Sequence, residues 1–198
     1  VSAMRELPKE SWRPDQAAQI VDRLLIYVAK SGRGSQQLIR FGQELAAALP
    51  ADRAEKARQG FDEFLVQTIV VKAVPKQLRF EPPFFVVEAG RPVEIVLENP
   101  DEMPHNLLVT KPGALEAVGK AGDAMASKPD GFKKQFVPEM PEVLWATPLI
   151  NKGETARVRF QAPGEAGAYP YVCTFPGHWM TMNGQMFVRS RSEGPAGR

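Results

Sequence analysis

The chain has 198 residues, and its 25 Lys and Arg against 23 Asp and Glu give a formal net charge of +2, which does not favour nucleic-acid binding. That length suffices for one domain with a hydrophobic core and a smaller appendage, while no apolar run is long enough for a transmembrane segment. The single cysteine, Cys173, excludes an internal disulfide, a Cys-x-x-Cys redox motif and a cysteine-rich zinc ribbon.

Three stretches near the N-terminus repeat apolar residues at the spacing of an amphipathic helix. Their sequences are RPDQAAQIVDRLLIYVAKSGRG, SQQLIRFGQELAAALP and DRAEKARQGFDEFL. Because each is apolar on one side only, each must bury that side against a neighbour. The sequence therefore predicts a small α-helical N-terminal segment over residues 1–65.

The chain then changes to short runs rich in Val and Ile and bounded by Gly, Pro and Asn, among them TIVVKAV, FFVVEAG, VEIVLEN and NLLVT. RPVEIVLEN alternates in part, with Val93, Ile95 and Leu97 on one face and Glu94 and Glu98 on the other, as in a strand with one buried face. The stretch PGALEAVGKAGDAMASKPDGF is typical of a helix and loop inserted between strands. We therefore predict a mainly β domain, a β-sandwich with a helical insert, over residues 66–190. The polar, Gly-rich end predicts a flexible tail over residues 191–198.

The metal-binding side chains of the β domain are concentrated in the sequence YPYVCTFPGHWMTMNGQMFV. It holds Cys173 and His178, and Met180 and Met182 follow at once. The other histidine, His105, lies beside another predicted strand in ENPDEMPHNLLVT. Two imidazoles, one thiolate and a weak thioether are the ligand set of a type 1, or blue, copper site. Zinc is the main alternative for Cys and His, but it prefers tetrahedral closure and gains little from methionine.

Two motifs carry a resemblance to a known family. The sequence CTFPGHWMTM resembles the copper loop of azurin, and MPHNLLVT resembles the azurin and plastocyanin segment that carries the first histidine. The domain therefore resembles the azurin/plastocyanin family of cupredoxins, which implies a cupredoxin Greek-key β-sandwich. It also implies one type 1 copper per chain, with His105, Cys173 and His178 as equatorial ligands and Met182 as the axial ligand.

The same resemblance implies roles for residues around the ligands. The carbonyl of Pro104 stands where azurin has a glycine carbonyl as a weak axial contact. The amide of Asn106 is expected to donate to the sulfur of Cys173, and its side chain to tie the two ligand loops together. Redox proteins such as a cytochrome or a dehydrogenase are expected to dock transiently near the exposed edge of His178. An apolar collar is predicted there, formed by Met103, Pro104, Pro176, Gly177, Trp179 and Met180.

The order of motifs along the whole chain resembles a narrower group. Val74-Pro75, MPHN, PGAL and the copper loop follow a helical lead-in, as in azurin-type modules of large bacterial membrane-associated dehydrogenase-like or haem-binding proteins. That likeness implies a periplasmic or other extracytoplasmic location. Because the sequence starts at Val1 without a leader, we expect that a signal peptide was removed or that the chain was longer.

The predicted function is electron transfer by a Cu(II)/Cu(I) site. The alternative is a copper-binding or copper-delivery module with an open, labile site and no electron-transfer role. An enzyme is not expected, because a nitrite reductase or oxidase needs further histidines for a second copper, and the chain has only two. A binuclear oxidase-type centre would need two cysteines.

Overall fold

The structure, a computed structural model, describes residues 12–31 and 36–190. The predicted tail at 191–198 lies outside them. The helices of the described residues are α1 (Pro14–Ser31), α2 (Gln36–Ala46), α3 (Ala51–Asp62) and α4 (Leu115–Ala124), followed by a 3₁₀ turn at Met125–Ser127. The strands are β1 (Gln67–Ala73), β2 (Phe80–Glu81), β3 (Phe84–Glu88), β4 (Pro92–Glu98), β5 (Leu108–Thr110), β6 (Val143–Ala146), β7 (Thr155–Gln161), β8 (Gly167–Val172) and β9 (Asn183–Arg189).

The chain divides into two compact units, with the boundary along the sequence between Val66 and Gln67. In the first unit, α1, α2 and α3 bury their apolar sides against one another, with Ile39, Leu45 and Phe61 fully inaccessible to solvent. None of the helices within residues 12–31 and 36–190 is both long and apolar enough to span a bilayer.

The second unit is a sandwich of two sheets with strand orders β2-β1-β4-β7 and β3-β9-β8-β5-β6. The pairs β1–β4 and β3–β9 are parallel. Val93, Ile95 and Leu97 of β4 are at most 1% exposed and belong to the core of the sandwich, as their alternation in the sequence indicates. The predicted fold, a mainly β sandwich with a helical insert and preceding helices, is confirmed.

The outer face of β4 carries an ion pair that connects the strands of one sheet. Glu94 is buried to 4% exposure, although it lies on the outer face of β4. Arg157 and Arg159 of β7 reach it at 3.0 and 2.5 Å. The hydrogen bond from Arg159 lowers the pKa of Glu94, against the opposing effect of burial. The two arginines are themselves exposed, and they cover a buried carboxylate.

The insert between β5 and β6 lies directly against the chain segment that follows Cys173. Its helix, α4, presents Gly119 to the ring of Trp179, where a Cβ atom would lie 2.3 Å from Cδ2. One turn later a Cβ at Gly122 would lie 2.8 Å from Cβ of Thr174. A larger residue at either position would collide with this segment. The two glycines therefore allow α4 to hold it in place.

Candidate metal centre

Three side chains meet at one end of the sandwich, between its two sheets. His105 precedes β5 and is held by paired backbone hydrogen bonds to Ile150. Cys173 directly follows β8, and His178 lies in the loop that leads to β9. One ligand atom from each of these residues lies within 4.8 Å of the other two, and all three residues are at most 2% exposed. Strands from distant parts of the sequence thus bring together both histidines and the only cysteine of the chain.

Both imidazoles direct the same ring nitrogen at the sulfur. The Sγ atom of Cys173 lies 3.7 Å from Nδ1 of His105 and 3.6 Å from Nδ1 of His178. A metal with bonds of about 2.3 Å to sulfur and about 2.0 Å to nitrogen, at angles of about 110–120°, separates those atoms by about 3.5–3.7 Å. The observed spacing therefore fits a single transition-metal ion bound by all three side chains.

The protonation of these groups follows from their burial. Burial raises the pKa of the Cys173 thiol to about 12, although the backbone amides of Asn106 and Phe175 donate to its sulfur and oppose the shift. Burial lowers the pKa of His178 to about 4, and the neighbouring His105 adds to that effect. Burial also lowers the pKa of His105. Without metal at neutral pH, the site therefore holds a neutral thiol and two neutral imidazoles.

A buried carboxylate fixes the orientation of His105. The Nε2 atom of His105 donates to Oδ2 of Asp101 at 3.0 Å, and the amide of Lys76 donates to Oδ1 at 2.9 Å. Burial alone would raise the pKa of Asp101, but these hydrogen bonds outweigh it and the pKa lies below its usual value. Because an ionised carboxylate only accepts, Nε2 carries the proton and Nδ1 offers its lone pair towards Cys173. The sequence analysis missed Asp101, although its position four residues before His105 is visible in ENPDEMPH.

The side chain of Asn106 connects the two ligand-bearing segments. Its Oδ1 accepts from the amide of Thr174 at 2.8 Å, and its Nδ2 donates to Oγ1 of Thr174 at 3.0 Å. Nδ2 also donates to the carbonyl of Gln135 in the insert, at 2.9 Å. Hydrogen bonds therefore link Asn106, the residue after His105, to Thr174, the residue after Cys173.

The methionines near the site differ in their burial. Met182 is fully buried, and its backbone carbonyl accepts from the amide of Cys173 at 3.0 Å. Met186, on β9, is also fully buried, whereas Met180 is 65% exposed. Met182 therefore lies beside Cys173 in the fold, as an axial ligand must. The roles of Met182 and of the Pro104 carbonyl as axial contacts stay predictions.

The surface around His178 differs from the expected one. Met103 and Met180 are exposed, Gly177 is exposed, and Pro104, Pro176 and Trp179 are half-buried, so the collar residues do reach the surface. However, His178 itself is only 2% exposed, and the expectation that one edge of its ring faces solvent is wrong. The rings of Phe175 and His105 lie against it, with centroids 4.8 and 5.1 Å away. The collar as a docking site stays a prediction, and the packing that covers the imidazole was not predicted.

A second carboxylate, which was also not predicted, lies in the insert and holds the loop that carries His178. Asp123, in α4, accepts from the amide of Gly177 and from Nε1 of Trp179, each at 2.7 Å. These bonds fix the two residues that flank His178. No spacing within the sequence signals this contact, because it depends on how α4 packs.

Comparison with known proteins identifies the family of this domain. Residues 67–189 match the family described as copper binding proteins, plastocyanin/azurin family. Auracyanin-A of Chloroflexus aurantiacus is 32% identical over 123 residues, which are 61% of this chain and 74% of auracyanin-A. Outer membrane protein H.8 of Neisseria meningitidis serogroup B is 36% identical over 85 residues, which are 42% of this chain and 44% of that protein.

A solved structure gives the same result. The structure of auracyanin A, described as a "blue" copper protein, aligns with a TM-score of 0.56 at 32% identity, over 63% of this chain and 100% of that one. The region that matches the family, residues 67–189, contains the whole sandwich and the three converging side chains. The chain therefore belongs to the plastocyanin/azurin family of copper binding proteins, with copper at one type 1 site as its cofactor.

Proposed function

We propose that this protein is an electron carrier in which His105, Cys173 and His178 bind the copper equatorially and Met182 binds it axially. The observation that supports this most directly is the convergence of the three ligand atoms, with both Nδ1 atoms within 3.7 Å of the cysteine sulfur. A type 1 copper supplies a one-electron Cu(II)/Cu(I) couple. Auracyanin A, named as a "blue" copper protein, is a relative in which the same class of site occurs.

The surroundings of the ligands favour electron transfer over copper delivery or catalysis. All three equatorial side chains are buried, so they exclude the open position that a substrate or an exchanging ligand needs. Asp101 holds the ring of His105, and Asn106 links the segment of His105 to the segment of Cys173, by hydrogen bonds that do not depend on the metal. A site held rigidly in both oxidation states needs little reorganisation when an electron arrives. Both histidines of the chain are used here, which leaves no imidazole for a second copper.

The partners and the location belong to the same proposal. A small redox protein such as a cytochrome, or a dehydrogenase, would exchange electrons with the copper site through a transient contact. The outer-membrane name of the Neisseria relative supports a periplasmic or other extracytoplasmic location for this chain.

The copper-loaded protein tests the proposal directly. We expect an intense visible absorption from thiolate-to-copper charge transfer, and reversible bleaching on reduction with the copper retained. Replacing Cys173→Ser removes the sulfur donor, so the colour should be lost. Visible and spin-resonance spectra of both proteins measure this, with circular dichroism as the folding control. A colourless Cu(II) form with Cys173 intact would refute the type 1 site, and copper lost on each reduction would favour a delivery role.

The axial assignment has a matched pair of variants. Met182→Leu should keep the colour and raise the reduction potential, because losing a thioether donor destabilises the more electron-poor Cu(II). Met186→Leu changes an equally buried methionine of the same core and should leave the potential unchanged. Such Met-to-Leu exchanges cost less than about 1.5 kcal/mol of stability. Equal potentials for the two variants, measured by redox titration, would mean that Met182 is not the axial ligand.

The carboxylate behind His105 should set the potential as well. Asp101→Asn keeps an oxygen acceptor for Nε2 but removes a buried negative charge that favours Cu(II). We expect the potential to rise by about 40–130 mV, the equivalent of about 1–3 kcal/mol for one electron. Glu102→Gln removes the same charge from the adjacent residue, which is exposed, and solvent screening should make its shift much smaller. Similar shifts of the reduction potential in both variants would show that the position of Asp101 behind His105 has no special effect and that only the net charge of the protein matters.

Copper uptake should release one proton at neutral pH. The thiol of Cys173, with its pKa raised to about 12, must lose its proton to bind, whereas His178, with its pKa lowered to about 4, is already neutral. We therefore expect about one proton per Cu(II) at pH 7, and an affinity that falls about tenfold per pH unit as the pH is lowered towards 7. A pH-stat titration measures it, with Cys173→Ser as the control that lacks the acidic group. Release of two protons would mean that a histidine is charged in the metal-free site.

A further inference from the structure

A row of packed aromatic rings leads from His178 to the surface of the insert. The ring centroids are 4.8 Å apart between His178 and Phe175, 5.4 Å between Phe175 and Phe136, and 6.1 Å between Phe136 and Phe132. All three separations lie in the range of direct aromatic contact. Phe136 is 7% exposed, whereas Phe132 is 71% exposed. We call these three phenylalanines, Phe132, Phe136 and Phe175, the aromatic row.

Because His178 is buried, the aromatic row could connect it electronically to the surface. His178 is 2% exposed, and its Nε2 atom is buried with no hydrogen-bond partner among the described residues. A partner protein that rests on the collar would therefore contact very little of this imidazole itself. Electronic coupling falls steeply with distance and more steeply across gaps than through packed atoms. A continuous row of rings in contact thus offers a coupled route between the buried imidazole and an exposed surface.

The backbone of the insert is strained where it positions the middle ring. Gln135 and Phe136 both have φ of 56°, a left-handed conformation that is uncommon for residues other than glycine. The carbonyl of Gln135 accepts from Nδ2 of Asn106, and the amide of Phe136 donates to the carbonyl of Gly131 at 3.0 Å. Strained residues persist only where the surroundings enforce them, and they cluster at functional sites. Asn106, which joins the ligand loops, therefore also holds the segment that carries the aromatic row.

The surface around Phe132 is apolar at its centre and basic at its edge. Lys128, Lys133 and Lys134 lie within four residues of it in sequence and are exposed. Asp130, within this stretch, and Glu139, which follows it, both pair with Lys134. Lys133 has no ion pair within the part of the chain that the structure describes. An exposed ring with uncompensated lysine charge fits a partner that presents an acidic surface.

We infer that residues 128–136 form the docking surface for an acidic redox protein, and that the aromatic row couples this partner to His178. The inference rests on the proposed electron-transfer function and adds the place of contact. One electron passes per encounter: the acceptor is reduced by one electron, the copper site is oxidised from Cu(I) to Cu(II), and no proton or bond changes.

The matched variants are Phe132→Ala and Phe84→Ala. Phe84 is a second exposed phenylalanine, 58% exposed, whose ring makes the same edge-to-face contact at 6.1 Å with Phe187. The oxidant is hexacyanoferrate(III), an anion that should be attracted to the lysines. Phe132→Ala removes the exposed end of the aromatic row and should slow oxidation of the reduced copper protein about tenfold or more. Phe84→Ala should not slow it, and neither variant should change the visible spectrum or the potential.

The charge has its own pair of variants. Lys133→Glu should slow the reaction and flatten its dependence on ionic strength. Lys56→Glu makes the same change of net charge on the exposed face of α3 and should have little effect. The contact can also be located without electron transfer. Hexacyanochromate(III), a redox-inert paramagnetic anion, should broaden the amide signals of residues 128–136 first in the metal-free protein.

The outcomes separate the two proposals. If the wild-type copper protein is not oxidised reversibly at all, the proposed electron-transfer function fails. If the wild type reacts but Phe132→Ala reacts equally fast, or if broadening centres on Trp179 and Met180, the docking inference is overturned and the electron-transfer function stands.

Discussion

The hydrogen bonds of one side chain, Asn106, reinforce the strand pairing that brings the ligand-bearing segments of the metal centre together. Its amide group bonds to Thr174 through both of its polar atoms and to the carbonyl of Gln135. It therefore joins the segment before β5, the segment after β8 and the insert. Each such bond contributes about 1 kcal/mol, and a buried amide left without partners costs more. Together with the pairing of β5 and β8, this junction fixes the separation between the imidazole of His105 and the thiol of Cys173.

Burial of the polar groups at this junction explains why the site suits a metal. Two neutral imidazoles and a neutral thiol occupy a space between two sheets that otherwise holds apolar side chains. An uncompensated charge would be costly there, which is why burial shifts each pKa towards the neutral form. Cys173 would bind copper as a thiolate, with the metal charge in place of the thiol proton in the same space. The carboxylate of Asp101 balances part of that positive charge from the other side of His105.

The sequence predicted the equatorial ligands because they are so scarce. With one cysteine and two histidines in 198 residues, a copper site with two imidazoles and a thiolate could be assembled in only one way. The strands were also predictable wherever one face is buried, as in β4. Asp101 was missed because an acidic residue in a loop is usually solvated, and only the folded turn brings it to Nε2. The exposure of His178 was predicted wrongly because it depends on how the rings of Phe175 and His105 pack against it in the folded chain. No periodicity in the insert indicates that Phe136 adopts a left-handed backbone.

The close approach of α4 has a consequence for how this domain can diverge from its relatives. The helix approaches Trp179 and Thr174 through the bare backbone of Gly119 and Gly122, and it is bonded to the amide of Gly177 through Asp123. Helix α4 and the segment between β8 and β9, which begins with Cys173, are therefore held rigidly together. Grafting a longer ligand hairpin from another cupredoxin would require a compensating change in the helix. The two segments should accordingly be inherited together, even though about fifty residues separate them along the chain.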